Sequence, residues 1–206
     1  MNQWRLWCWM GMAFGLLPAA ALSADNPTRS DKAELLVRTE IISGSCDLNV
    51  AQPTITFGNY LPGDFNKNNN WTVAIQPIEL SLGKCTGNGG ILKPAILVSG
   101  DTLPDNPAMF ASPDAADNSA SDKNKNISAN SGFMLREGEY KGPLNGFFAP
   151  NAPEIITNGK YTYVGQKSER WEIGKKFIYT VGYVSNNKEP GVGLTQANVT
   201  FSFQYH

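Results

Sequence analysis

The chain has 206 residues, 41% hydrophobic and 17% charged, and its 17 Lys and Arg against 18 Asp and Glu give a formal net charge of −1 at pH 7. This balance gives no sign of the basic face that nucleic-acid binding requires, so we expect no nucleic-acid partner. The single histidine is the last residue, His206. That position removes the Ser-His and Cys-His catalytic arrangements and histidine-rich metal centres, so we expect no enzymatic activity, cofactor or metal site.

The first 24 residues have the order of a secretory signal peptide. A charged region ends at Arg5, an apolar run follows over Leu6–Leu17, and small residues fill Ala19–Ala24. The apolar run is shorter than the roughly 20 residues that a transmembrane helix needs. We expect cleavage after Ala24, which removes Cys8 with the signal and exports the remainder.

Two cysteines remain after that cleavage, Cys46 and Cys85, and two allow one intrachain bridge. In an exported chain the oxidised pair is the default, so we expect a disulfide. The alternative is a two-cysteine metal site, which lacks any histidine ahead of His206 to complete it.

The stretch Ala33–Ile42 alternates with a period of two residues, which indicates an extended strand with one face meant for burial. Two interpretations stay open at this point. The strand is either an ordinary first strand of a secreted β-domain or a strand made for the core of another molecule.

Further short strands follow, separated by Gly and Pro turns, and no amphipathic helix of ten or more residues is predicted. Their pattern predicts one all-β sandwich. A change of parity at Pro77 indicates a bulge or an edge position. Ser99–Ser131 is predicted to be a long polar loop. The predicted strands cover Cys46–Val50, Thr54–Phe57, Trp71–Leu82, Ile91–Val98, Gly132–Arg136, Tyr161–Val164, Phe177–Val184 and Asn198–His206.

Paired carboxylates could still support glycoside hydrolysis without a histidine. The sequence offers several acidic residues in predicted loops, but nothing in their spacing pairs any two of them. A secreted carbohydrate-active enzyme therefore stays as an alternative class. The candidates are Asp101, Asp105, Glu137, Glu139 and Glu154.

Four motifs in order make the chain resemble the subunits of bacterial chaperone–usher fimbriae, the pilins. LLVRTEIISGSC at Leu35–Cys46 is similar to the family's donor-strand extension, and TITFGNYLPG at Thr54–Gly63 to the segment after the first cysteine. ELSLGKC at Glu79–Cys85 resembles the strand that carries the second cysteine. The alternating tail Phe177–Tyr205 has a penultimate tyrosine, as the family does.

The resemblance implies an incomplete immunoglobulin-like β-sandwich, with a signal peptide at 1–24, a donor-strand extension at 25–45 and a pilin domain at 46–206. The missing last strand leaves an apolar groove, which a periplasmic chaperone fills until the extension of the next subunit replaces it. At Thr39 the chain departs from the family, which usually has glycine there. The branched side chain of Thr39 would need a larger pocket in the subunit that accepts the strand. By position, the inserted residues are Leu35, Val37, Thr39 and Ile41, with Ala33 as a fifth, and the groove-flanking, chaperone-binding residues are Val199, Phe201, Phe203, Tyr205 and His206.

The function implied is a structural subunit, minor or tip-proximal, that polymerises by donor-strand exchange and contributes to adhesion. Its partners would be the periplasmic chaperone, the outer-membrane usher and neighbouring subunits, and it would reach the bacterial surface through the periplasm. The alternative is a single-domain adhesive module that binds a host receptor or glycan through residues 99–131. We expect the extension not to fill its own groove, because Ser43–Ser45 between Ile42 and Cys46 is too short for a chain reversal.

Overall fold

The computed structural model describes residues 33–41, 46–65, 71–85, 92–116, 127–149, 151–166 and 173–206. The expected signal peptide 1–24, the lead-in 25–32 and the loop residues 66–70 lie outside these ranges. Within them, no helix combines the length and the apolar character needed to cross a membrane.

In the described ranges the chain forms twelve strands, joined by turns and short 3-10 helices. The strands are β1 Ala33–Ile41, β2 Cys46–Val50, β3 Thr54–Phe57, β4 Thr72–Cys85, β5 Pro94–Gly100, β6 Thr102–Leu103, β7 Asn106–Phe110, β8 Ser131–Glu137, β9 Ile155–Ile156, β10 Lys160–Tyr163, β11 Lys176–Ser185 and β12 Thr195–Tyr205.

The strands form two facing sheets. The five-stranded sheet has the order β10-β5-β12-β1-β3, and the seven-stranded sheet has the order β2-β4-β11-β8-β7-β6 with β9 beside β8. The predicted edge position at Pro77 is confirmed: Pro77 pairs with Thr180 of β11, while β2 pairs with β4 only from Leu80 onward. Proline is tolerated there because its missing N–H costs no ladder hydrogen bond on the open side.

The main core lies between the sheets, where alternate residues of each strand point inward. It contains a group of large aromatic side chains, and the tilted rings of Phe57, Phe133 and Tyr183 lie 5.5–6.0 Å apart between centroids. A second cluster covers the other face of the seven-stranded sheet and includes Met134, Val184 and Phe147. Phe147 packs directly on the backbone of β11: a Cβ added at Gly182 would lie 2.2 Å from its ring, so that position requires glycine.

The prediction of one polar loop over Ser99–Ser131 is wrong for its first half. Residues 102–103 and 106–110 are strands of the seven-stranded sheet, and Met109, Phe110 and Ala111 are completely buried. The apolar run is four residues long and is flanked by Asn, Pro and Ser, so it gives no periodic signal. Residues 117–126 of the tract lie outside the described chain.

The predicted all-β sandwich with one disulfide is confirmed. Cys46 and Cys85 are bonded and are also paired in register between β2 and β4. Both thiols are therefore occupied, which excludes the alternative of a two-cysteine metal site.

The expectation that the N-terminal extension stays out of its own groove is wrong. β1 lies in the five-stranded sheet of its own chain, between β12 and β3. No chain reversal is needed, because the next strand, β2, belongs to the facing sheet. Facing sheets are about 10 Å apart, and the four residues 42–45 can span roughly 13 Å.

Candidate functional site: a strand slot between β3 and β12

The candidate site is the slot that β1 occupies in the five-stranded sheet. β1 runs parallel to β12 over its whole length, from Ala33 opposite Thr195 to Ile41 opposite Phe203. On its other side it runs antiparallel to β3, from Ala33 opposite Phe57 to Leu36 opposite Thr54. Among the described strands, β1 alone links β3 to the rest of the sheet.

The inward face of β1 presents three consecutive alternate residues to the core. Ala33 and Leu35 are fully buried and Val37 is 2% exposed, and all three belong to the main core cluster. Complete burial of a Leu or Val side chain contributes about 1.5–3 kcal/mol. Leu35 and Val37 therefore hold the strand in the slot.

The two halves of β1 are held unequally. Residues 33–36 have strand partners on both sides, and the Val37 amide donates to the carbonyl of Pro53 at 2.9 Å. Beyond Val37, the described strand pairings of β1 are with β12 alone. Thr39 has the inward parity of Leu35 and Val37 but is exposed, so in this arrangement its branched side chain needs no pocket.

β1 separates β3 on one side from β12, β5 and β10 on the other. Its covalent link to the domain is the segment 42–45, and the disulfide at Cys46 fixes β2 to β4 immediately after that link. Departure of β1 would break its ladders to β3 and β12 and expose the core side chains that it covers.

On the β12 side, the predicted groove-flanking residues fall into two groups. Val199, Phe201 and Phe203 are completely buried and lie opposite Val37, Thr39 and Ile41. Tyr205 and His206 lie beyond the end of the β1 ladder. Burial of the Tyr205 ring raises the pKa of its hydroxyl.

The C-terminal residue is fixed by four contacts. The His206 backbone exchanges two hydrogen bonds with Lys93, of 2.8 and 3.0 Å. Its ring stacks on Tyr161 with centroids 4.0 Å apart, and the Tyr163 hydroxyl lies 3.0 Å from Nδ1. The end of β12 is therefore an ordered part of the sheet.

A buried hydroxyl cluster holds the start of β12, and sequence reasoning did not find it. Thr195 Oγ1 lies 2.6 Å from Ser131 Oγ and 2.9 Å from the Tyr183 hydroxyl. Ser131 donates to Ser128 at 2.8 Å, and Ser128 donates to the Gly191 carbonyl at 2.7 Å. Because Ser131 and Thr195 are 64 residues apart, no local motif reveals the pair.

The acidic residues considered for glycoside hydrolysis serve several separate contacts. Glu154 pairs with Arg136 at 3.2 Å, and Glu139 pairs with Lys141 at 3.1 Å. Asp105 accepts a hydrogen bond from Asn186. The remaining two differ in surroundings: burial raises the pKa of the Glu137 carboxyl, whereas Asp101 is exposed at the end of β5.

Among proteins of known structure, the chain is similar to an antigen and type I fimbria protein of Burkholderia pseudomallei. The match has 14% sequence identity and a TM-score of 0.46, and it covers 84% of this chain and 97% of the other. No family model matches the chain, and no curated protein matches it. The strand pairings of the chain itself, rather than this similarity, define its fold.

Proposed function

We propose that the protein is a non-enzymatic structural subunit of a chaperone–usher fimbrium that polymerises by donor-strand exchange. The observation that carries the proposal is the slot between β3 and β12, filled by a terminal strand that a short segment links to the domain. Any strand with apolar residues at alternate positions could take that place and bury them against the same core. The pilin-like motifs at Leu35–Cys46 and Phe177–Tyr205 favour a strand from a sibling subunit.

In this proposal the closed monomer and the fibre use the same slot. With β1 docked in its own chain, Leu35 and Val37 cover the core and the monomer is closed without a partner. A periplasmic chaperone would hold the slot while β1 is displaced, and the extension of another copy would then occupy it. The outer-membrane usher and neighbouring subunits are the further partners of that cycle.

The direction of β1 offers a reason for exchange to proceed. β1 is parallel to β12, and parallel pairing is slightly less stable per residue than antiparallel pairing. A strand from another copy is not tied to the segment 42–45 and can therefore enter antiparallel to β12. Reversal would make the ladder to β12, which spans residues 33–41, antiparallel and the shorter ladder to β3, over residues 33–36, parallel, so the longer edge would gain the stronger pairing.

Fibre incorporation in cells that supply the chaperone and usher tests the proposal. Deletion of Asp25–Ile42 should leave chaperone binding intact and abolish incorporation, whereas deletion of 25–32, which keeps β1, should preserve both. Leu35→Asp should block incorporation because it places a carboxylate in the core, while the outward Leu36→Asp should be incorporated. Incorporation of the chain that lacks Asp25–Ile42 would refute the proposal.

Adhesion is the second proposed role, through a host receptor or glycan bound by residues 99–131. In the described part of that tract, Leu103, Ala108 and Met109 pack into the second core cluster, which leaves the outer turns for contact. Selective binding on a glycan array, lost on replacement of residues 117–126 by a Gly-Ser linker, would support this role. A blank array would leave the scaffold role alone.

A further inference from the structure

A cavity of about 170 Å³ lies on the outer face of the five-stranded sheet, on the side of β1 that does not contact the core. Two outward residues of β1, Glu34 and Leu36, form one wall, and their register partners Gln196 and Asn198 form the next. Asp101, which follows β5, closes the third side. One wall of the cavity is therefore supplied by β1, the strand that occupies the slot.

The rim of the cavity is held by backbone hydrogen bonds. The Ser112 amide donates to the Gln196 carbonyl at 2.7 Å, and the Ala111 amide donates to the Asp101 carbonyl at 3.0 Å. Gly100 brings β5 close to β12 beside the cavity, since an added Cβ would lie 2.4 Å from the Asn198 carbonyl oxygen. The walls are thus in place before any ligand arrives.

The chemistry of the lining is acidic with an apolar base. Glu34 and Asp101 are its two charged side chains, and in the described chain neither carboxylate makes an ion pair or hydrogen bond with the protein. Gln196 and Asn198 add amide acceptors, while Leu36, Ala197 and Pro113 supply apolar surface. The described chain holds no cluster of three or more metal-ligating side chains, so an inorganic cation is poorly matched.

We propose that this cavity binds a small organic ammonium, with the charge between Glu34 and Asp101 and a short alkyl chain on Leu36 and Pro113. A protein cavity of about 150 Å³ accommodates benzene, so this one suits a ligand of about five to eight non-hydrogen atoms. Because β1 supplies Glu34 and Leu36, the ligand binds the closed monomer and not the form with an empty slot. An organic ammonium therefore holds β1 in place, a consequence that adds regulation to the proposed fimbrial role.

Nuclear magnetic resonance titration of the closed monomer, the chain from Asp25 onward, tests the site. n-Butylammonium should shift the amide signals of Glu34, Leu36 and Asn198 saturably, with an affinity on the order of 1 mM, as expected for so small a ligand. The neutral isostere n-butanol should bind at least about ten-fold more weakly. Glu34→Gln and Asp101→Asn should each weaken n-butylammonium about three- to ten-fold, and the matched control Glu139→Gln, in the loop after β8, should not.

Any one of three results would overturn the proposal: equal shifts from n-butanol, no saturation by about 100 mM n-butylammonium, or the same shifts from calcium chloride alone.

The coupling between ligand binding and docking of β1 is measured by amide hydrogen exchange at Leu35 and Val37. At ten times its dissociation constant, n-butylammonium should slow their exchange about ten-fold. Saturable binding without slower exchange would overturn the coupling to β1. Both readouts use the monomer, so they stand whether or not the protein forms fibres.

Discussion

β1 and β12 are neighbours in one sheet and share the same alternating pattern, yet they are held in different ways. β12 has strands on both sides, β1 and β5, and five of its inward positions are buried. Its first residue, Thr195, is also fixed by the buried hydroxyl cluster. β1 buries three residues, lacks a β3 partner beyond Leu36, and joins the domain through residues 42–45.

The difference indicates which of the two paired strands, β1 or β12, holds the sheet together. β12 is the platform, because its loss would open the sheet at its centre, whereas loss of β1 detaches β3 and leaves β10, β5 and β12 paired. A sequence change in β12 should therefore affect global unfolding, and a change in β1 should affect docking of that strand first.

The largest effect should come from the platform. Phe201→Ala removes a fully buried ring that packs 5.2 Å from Tyr179, and it should lower the free energy of unfolding by about 3–5 kcal/mol in urea denaturation. The half-exposed neighbour Thr200→Ala is the control and should cost under about 0.5 kcal/mol. A Phe201→Ala cost below about 1 kcal/mol would show that β12 is not the platform.

In β1, Leu35→Ala should lower the free energy of unfolding by about 2–3 kcal/mol. The cost is limited because β1 can undock locally, which avoids part of the penalty of a cavity in the core. Amide hydrogen exchange should rise in residues 33–41 while that of β5 stays unchanged. The outward Leu36→Ala is the matched control and should leave both rates within about two-fold. A uniform rise across β1, β5 and β12 would mean that β1 does not open independently.

Removal of the hydroxyl at the start of β12 should have an intermediate effect. Thr195→Val keeps the shape of the side chain and removes its hydrogen bonds to Ser131 and Tyr183, which should cost about 1–3 kcal/mol. Thr200→Val is the control on the same strand. Equal urea midpoints for the two variants would indicate that the cluster does not fix β12.

The smallest effect should be a pH dependence at alkaline pH. Burial raises the pKa of Tyr179 above its ordinary value of 10.0, so the folded state keeps the proton that the unfolded state loses. Tyr179 thus contributes stability that is present below pH 10 and is lost as pH rises further. Tyr179→Phe should flatten the fall in thermal midpoint between pH 9 and 11, whereas an unchanged slope would assign it to other groups.

Much of this fold could be predicted from the sequence. The period of two predicts β1, β11 and β12, because most of their inward residues are apolar, although Leu36 of β1 and Ile178 of β11 interrupt the alternation. The strands β6 and β9 have two residues each and β7 has five, interrupted by Pro107, so no periodicity identifies them. Where β1 docks could not be predicted, because Leu35 and Val37 fit a slot in their own chain as well as one in a sibling.

The central claim is that the slot serves β1 and a sibling's strand in turn, and a disulfide lock tests it most directly. Arg38 and Thr200 are paired outward residues of β1 and β12, at a separation that a disulfide spans. The oxidised Arg38→Cys/Thr200→Cys monomer should form no fibres. The matched pair Ser99→Cys/Thr200→Cys, which ties β12 to β5, should polymerise at the unmodified rate. Fibres from the chain with β1 locked in place would contradict the account.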